Sequence, residues 1–240
     1  MPPVADQAVV LRHWDYSETS QTIALLTRDH GIIRGLAKGA RREKGSFSGG
    51  FELLTRGEIL FIVRPSSELA LLTEWDLQEV YWAARRDLRA HHIGLYMIDL
   101  VHHLLTTQDP HPTLFDTLAE ALSSLDDPDR HDQALLTFQW ALLVETGYQP
   151  SLGGPDVNRT VGFNARAGEV VDDPGANVVS TYLWRVRGET IRLLQGIAGG
   201  DDSLGVHQAT TVDRANRLLA SYTRVLMDRD LPTRAMLFGK

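Results

Sequence analysis

The apolar residues change period once along this chain, near Val80, and that single change constrains the fold more than any other feature. Before it, Val-, Ile- and Leu-rich runs of about four to eight residues are separated by Asp, Gly, Pro and Ser, the pattern of short strands. After it, apolar residues recur at spacings of three and four, the period of a helix packing one face. Strands segregated from helices in this way define an α+β multidomain chain. Its 240 residues suit two domains, which we place at 1–80 and 81–240.

The first part holds five candidate strands. "QAVVLRHW" is the first, Thr22 to Thr27 the second and Ile32 to Ala37 the third; the last two are joined at "RDHG", whose Asp and Gly supply turn chemistry. "FELLTRGEILFIV" is a long fourth strand, "RPSSE" a turn, and a fifth strand runs from Leu69 to about Trp75. Five short strands in this length suggest a small closed barrel of the OB-fold size, although strand counting does not separate it from an SH3-like barrel.

In the second part, Leu88, Ile93, Leu95, Ile98, Val101, Leu104 and Leu105 mark one face of a helix. "HPTLFDTLAEALSSL" follows with Pro112 in its first turn, and "RHDQALLTFQWALLVETG" ends with Gly147 at the position after the cap. An irregular, Gly-, Pro- and Asp-rich insertion at about 148–180 precedes two further helices, "GETIRLLQGIAGG" and "TVDRANRLLASYTRVLMDR", the latter with Thr211 as candidate N-cap and Pro232 beyond its end.

Few chemistries survive inspection. The chain has no cysteine, which excludes disulfides, thiolate zinc sites and cysteine nucleophiles. His91 with His92 and His102 with His103 sit about three turns apart on one helix, too far for a shared coordination shell, so they read as solvated or interface residues. "LDDPDRHD" lacks the spacing of a calcium loop, and Asp126, Asp127 and Asp129 read as turn formers at a helix start. No phosphate-binding glycine loop, nucleophile elbow or triad is present, so neither a catalytic residue, a metal site nor a cofactor is expected. The first residues lack the pattern of a secretion signal, and no apolar run reaches the roughly 18 residues needed to span a bilayer. A cytoplasmic protein is expected.

The net charge of −7 argues against indiscriminate coating of nucleic acid. Yet Arg28, Arg34, Lys38, Arg41, Arg42 and Lys44 stand against only Asp29 and Glu43, so residues 28–44 carry +4. "GARREKGSFSGG" is equally readable as a solvated surface loop. Phe47 and Phe51 lie just beyond it, and Trp14 and Tyr16 follow the first strand. Cations that track phosphates beside aromatic faces that stack bases form the combination that binds single strands. Phe51 suits the barrel interior better, and Trp14 fits core and surface alike.

These residues resemble the RecO family of recombination mediators. The resemblance rests on Tyr-x-Glu-x-Ser at Tyr16, Glu18 and Ser20, on the turn Thr27, His30, Gly31, and on Ala-Lys-Gly-Ala-Arg-Arg at Ala37 to Arg42. The "ELLTRGE" strand matches as well, and "RRDL", "TLFDTLAEAL", "LLVETGYQP" and "YTRVLMDRDLPTRAMLF" carry the likeness, more loosely, through the second part. It implies an OB-fold followed by an all-α helical domain. Many family members have two Cys-x-x-Cys pairs in the insertion; here the second pair's positions correspond to Asp172 and Gly175, so packing must hold that segment. The resemblance further implies a non-enzymatic protein that binds single- and double-stranded DNA, anneals complementary strands, associates with RecR, engages the acidic C-terminal tail of the single-stranded DNA-binding protein, and helps RecA load, at the nucleoid during repair. On this reading Arg34, Lys38, Arg41, Arg42 and Lys44 contact phosphates, Phe47 stacks on a base, and Arg12 and Arg64 are weaker candidates. The residues alone also permit an adaptor whose basic loop docks an acidic protein surface.

Overall fold

Five strands close into a barrel: β1 (Val4–Asp15), β2 (Gln21–Thr27), β3 (Gly31–Ala37), β4 (Thr55–Ile62) and β5 (Ala70–Val80). The computed structural model describes residues 2–42, 46–47, 49–64, 67–105, 109–154, 156–200 and 208–239. Strand order is β1-β2-β3-β5-β4, closed by antiparallel pairing of β1 with β4, and β3 pairs with β5 in parallel from Gly35 to Ala37. This is the strand order of an OB-fold, the fold that the resemblance implies.

The strands do not alternate cleanly between apolar and polar, because both faces of β1 and β2 are covered. Ala8, Val10, Ile23 and Leu25 fill the barrel with Ile59, Phe61 and Trp75. Val9, Ala24 and Leu26 lie on the outer side and are equally buried. Helix α2 (Leu88–Leu104) packs against β1 and β2 there. A fully covered Val, Leu or Ile side chain contributes about 1.5 to 3 kcal/mol, so the outer face adds substantially to the interior.

Packing against the barrel changes the role of α2. Its buried residues, from Ala90 and Ile93 through Tyr96, Ile98 and Val101, surround most of the helix, whereas Leu88, counted on the apolar face by its spacing, is exposed. Asp87 caps it by accepting from the Ala90 amide at 2.7 Å. The short α1 (Ala83–Arg86) precedes it and α3 (Pro112–Ser123) follows, with Pro112 at its start. Barrel and α1–α3 belong to one compact unit, Met1–Asp126, which runs past the period change at Val80.

The turn "RDHG" between β2 and β3 is fastened to this unit. Asp6 accepts from the Asp29 amide at 3.0 Å and lies 2.7 Å from His30 Nδ1, and Thr27 Oγ1 donates to the Gly31 carbonyl. Gly31 has φ +68°, and a Cβ there would collide with the backbone of Asp109. Arg28 makes a two-pronged pair with Asp116 of α3 at 3.0 and 2.8 Å.

The second unit, Asp127–Lys240, contains α4 (His131–Glu145), α5 (Gly188–Ala198), α6 (Ala209–Leu226) and α7 (Pro232–Phe238). Gly147 follows the cap of α4 at φ +75°, as its place in the sequence suggests. Helix α6 begins at Ala209 after Gln208, so Thr211 is a buried helical residue and not the cap.

The insertion is the main departure from the sequence reading. It carries β6 (Thr160–Asn164) and β7 (Glu169–Val171), which form an antiparallel sheet with β8 (Leu183–Arg187), just beyond it, in the order β7-β6-β8. Val161, Phe163 and Val170 enter one core with residues of α4, α5 and α6. Phe163 stacks on Trp184 at 5.9 Å, Arg185 pairs with Asp173 at 2.7 and 2.8 Å, and Arg166 lies 4.1 Å over the Tyr182 ring. Packing and ion pairs thus hold a segment that has no cysteine.

Candidate nucleic-acid interface

A bulge in β1 decides what the barrel shows outward. Val10 pairs with Leu25 and Arg12 with Ala24, so Leu11 is an extra residue on β1. An extra residue reverses the in-out alternation beyond it. Arg12 and Trp14, which strict alternation would send inward with Val10, therefore fall on the outer side with Ala24. Register then aligns Arg12, Ala24 and Arg34 in one row across β1–β3, and Trp14, Thr22 and Leu36 in the next.

Within this row the two arginines differ. Arg12 reaches Asp99 of α2 at 2.5 Å, and that carboxylate is only 6% exposed, so Arg12 neutralises a buried charge. Arg34 is exposed and has no carboxylate partner among the described residues. Trp14 is 43% exposed and Tyr16 64%, while Phe51 is buried against Trp75 in the barrel. Trp14 is thus surface, as an exposed aromatic on the β1–β3 face, and neither it nor Tyr16 stood among the sequence-derived site residues.

The basic stretch after β3 is anchored to the loop between β1 and β2. Ser20 Oγ accepts from the Gly39 amide at 3.3 Å, the Thr19 carbonyl from the Arg41 amide at 3.2 Å, and the Gly39 carbonyl from the Arg42 amide at 3.0 Å. Gly39 has φ +75°, the left-handed region that favours glycine. Lys38, Arg41 and Arg42 are exposed on this turn, and Arg41 pairs with Asp15. Lys44 lies outside the described residues. Phe47 is half-buried, 5.4 Å from Phe51, where it helps close the barrel.

Arg34 also lines a groove of about 360 Å³ between β3 and the β4–β5 connection, together with Val63, Ser67 and Glu68. Arg64 follows Val63, is exposed, and has no carboxylate partner among the described residues. Arg34, Lys38, Arg42 and Arg64 are thus cations not engaged by described carboxylates, whereas Arg12, Arg28 and Arg41 are paired.

The field of these cations reaches α2. His102, 6.0 Å from Trp14, has its pKa lowered to about 4, first by burial and then by the charges of Arg12, His103 and Arg34, against the opposing effect of Asp99. It is neutral at pH 7 and lends the face an apolar, uncharged edge.

Among the described residues no group of three or more His, Asp or Glu is placed to share a metal ion, and no helix is long and apolar enough to cross a membrane. A barrel face with an exposed aromatic, unpaired cations and flanking loops is the surface on which OB-folds hold oligonucleotides.

Comparison with known proteins gives a concordant result. Residues 1–81 match the family model described as Recombination protein O N terminal, and residues 85–235 the one described as Recombination protein O C terminal. The DNA repair protein RecO of Rhodopirellula baltica is 40% identical over 188 residues, covering 74% of this chain and 70% of that protein. Those of Myxococcus xanthus and Geobacter sulfurreducens are 34% and 36% identical, over 60% and 63% of this chain and 59% and 62% of their own lengths. With both family models matched in order along a five-stranded barrel and a helical part, the chain belongs to the RecO family of DNA repair proteins.

Proposed function

We propose that this chain is a non-enzymatic recombination mediator that uses no cofactor. It binds single- and double-stranded DNA, anneals complementary strands, and works with RecR in helping RecA load. It engages the acidic C-terminal tail of the single-stranded DNA-binding protein and acts in the cytoplasm, at the nucleoid during repair. The observation that carries the DNA role is the outer barrel face. Trp14 stands exposed on β1, one row beyond Arg12 and Arg34, and Lys38, Arg42 and Arg64 are exposed on the turn after β3 and on the β4–β5 connection.

An annealer must grip phosphates and leave base edges free to pair, because phosphate contacts position a strand without reading it. Cations on strand ends and tight turns meet that need, and one exposed indole supplies sequence-tolerant stacking. Arg41, already neutralised by Asp15, exchanges that partner for a phosphate at little net gain. Lys44 and Phe47 remain in the proposed site, the first as a phosphate contact and the second as a stacking residue at its margin.

The test compares the wild type with Arg34→Glu, Lys38→Glu and Arg42→Glu combined, measuring oligothymidylate binding by anisotropy and the annealing rate of complementary oligonucleotides. Loss of annealing and of the strand held on the barrel, with an unchanged circular dichroism spectrum, is expected. Binding and annealing at wild-type levels would remove DNA from this face and leave an acidic protein surface as its partner.

A further inference from the structure

The second unit holds a cationic groove that the barrel-centred reading does not use. It encloses about 360 Å³ along β8, between Trp184 and Val186 on one side and Arg214, Arg217 and Leu218 of α6 on the other. Arg185 and Arg187 of β8 also border it, so four arginines surround the groove. Arg187 is the residue before α5 and has no acceptor to offer the first amides of that helix, whose first turn carries Glu189 and, at the groove, Thr190.

A second, independent observation points to a ligand. Thr190, in the first turn of α5, lines the same groove at 1% exposure, and its hydroxyl has no hydrogen-bond partner among the described residues. A buried hydroxyl left unpaired costs roughly 1 to 3 kcal/mol, a penalty that an acceptor oxygen in the groove removes.

The charges present bound the affinity. Arg185 is held by Asp173, Arg214 by Glu189 at 2.6 Å, and Arg217 by Asp213 at 2.9 Å, while Arg187 lies 3.8 Å from the same Glu189. Four cations face three carboxylates, which leaves one in excess, and Arg187 is the most exposed of the four. Such a groove suits a singly charged phosphodiester held weakly, with Trp184 as an apolar wall beside it.

We propose that this groove is a second strand-binding site, so that one chain holds two single strands at once, one on the barrel and one at the start of α5. The proposal rests on the DNA-binding reading above and adds to it a reason why annealing needs both units: two strands tethered to one molecule meet at a raised effective concentration.

The experiment counts strands per chain. Oligothymidylate is titrated at low salt into the full-length wild type and into Arg187→Gln combined with Thr190→Val, with the mass of each complex read by sedimentation velocity so that strands and chains are counted together. The wild type is expected to take two strands per chain and the variant one. Thr190→Val alone weakens the second strand about fivefold, the effect of one lost hydrogen bond. Arg187 is largely exposed and valine fills the volume of threonine, so the variants fold.

One strand per wild-type chain, or two per variant chain, overturns the proposal while leaving the barrel site standing. No strand bound by the wild type at all defeats the DNA-binding reading itself. An oligo-aspartate peptide that binds the wild type but not the variant, with one strand on each, assigns the groove to an acidic protein segment and also overturns it.

Discussion

Trp14 and Phe51 are both aromatic and both neighbour the basic stretch, yet they have opposite fates. Phe51 closes the barrel and Trp14 faces solvent, so their substitutions separate stability from binding. Trp14→Ala should weaken single-strand affinity by about 1 to 3 kcal/mol, measured by anisotropy, with little change in melting temperature. The two arginines of the adjacent row divide the same way. Arg12→Ala leaves Asp99 buried without its cation and should cost roughly 2 kcal/mol in denaturant unfolding, whereas Arg34→Ala should lower affinity alone. His102 gives a pH signature. Its folded pKa of about 4 lies below the ordinary 6.5, so the unfolded chain takes up the proton first. Its contribution should therefore erode stability as pH falls from 6.5 towards 4 and level off below, and His102→Gln should flatten that part of the melting-temperature profile. At this scale the sequence showed the cations plainly. It could not show which were already paired, because Asp15, Asp99 and Asp116 reach them from other elements.

Elements explain what residue types alone did not. The strands were legible through their β-branched runs, and the lack of alternation in "AVVL" and "IALL" reflects a sheet covered on both faces. The bulge at Leu11 was not legible, since one extra residue changes no residue type while reversing the parity of everything after it. The side on which Trp14 lies followed from that. In the insertion and just beyond it, Gly, Pro and Asp dominate the connections and hid three strands of only three to five residues. Their signal was the alternation of Val161 with Phe163 and of Trp184 with Val186. Because Phe163 is fully buried in the core shared with α4–α6, Phe163→Ala should destabilise the protein by about 3 to 5 kcal/mol in chemical unfolding, a loss that an irregular surface insertion would not show.

On the scale of the molecule, an acidic chain presents Arg34, Lys38, Arg42 and Arg64, which have no carboxylate partner among the described residues, on β3, the turn after it and the β4–β5 connection. The acidic remainder discourages a strand from wrapping the chain along its other surfaces. The two family models divide the chain at residues 81 and 85, whereas the compact units divide at Asp126, because α2 packs on β1 and β2 and Asp116 of α3 holds Arg28. That division was hidden from the sequence: a helical period reports that a helix has an apolar face and not which element covers it. The central claim is that phosphates are held by Arg34, Lys38, Arg42 and Arg64, and the salt dependence of oligothymidylate binding tests it most directly. These four contacts at about −0.7 each should account for about −3 of the slope of log K against log salt, and the slope should become shallower by that amount when all four are changed to glutamine. A slope that is unchanged in the quadruple variant would contradict the account.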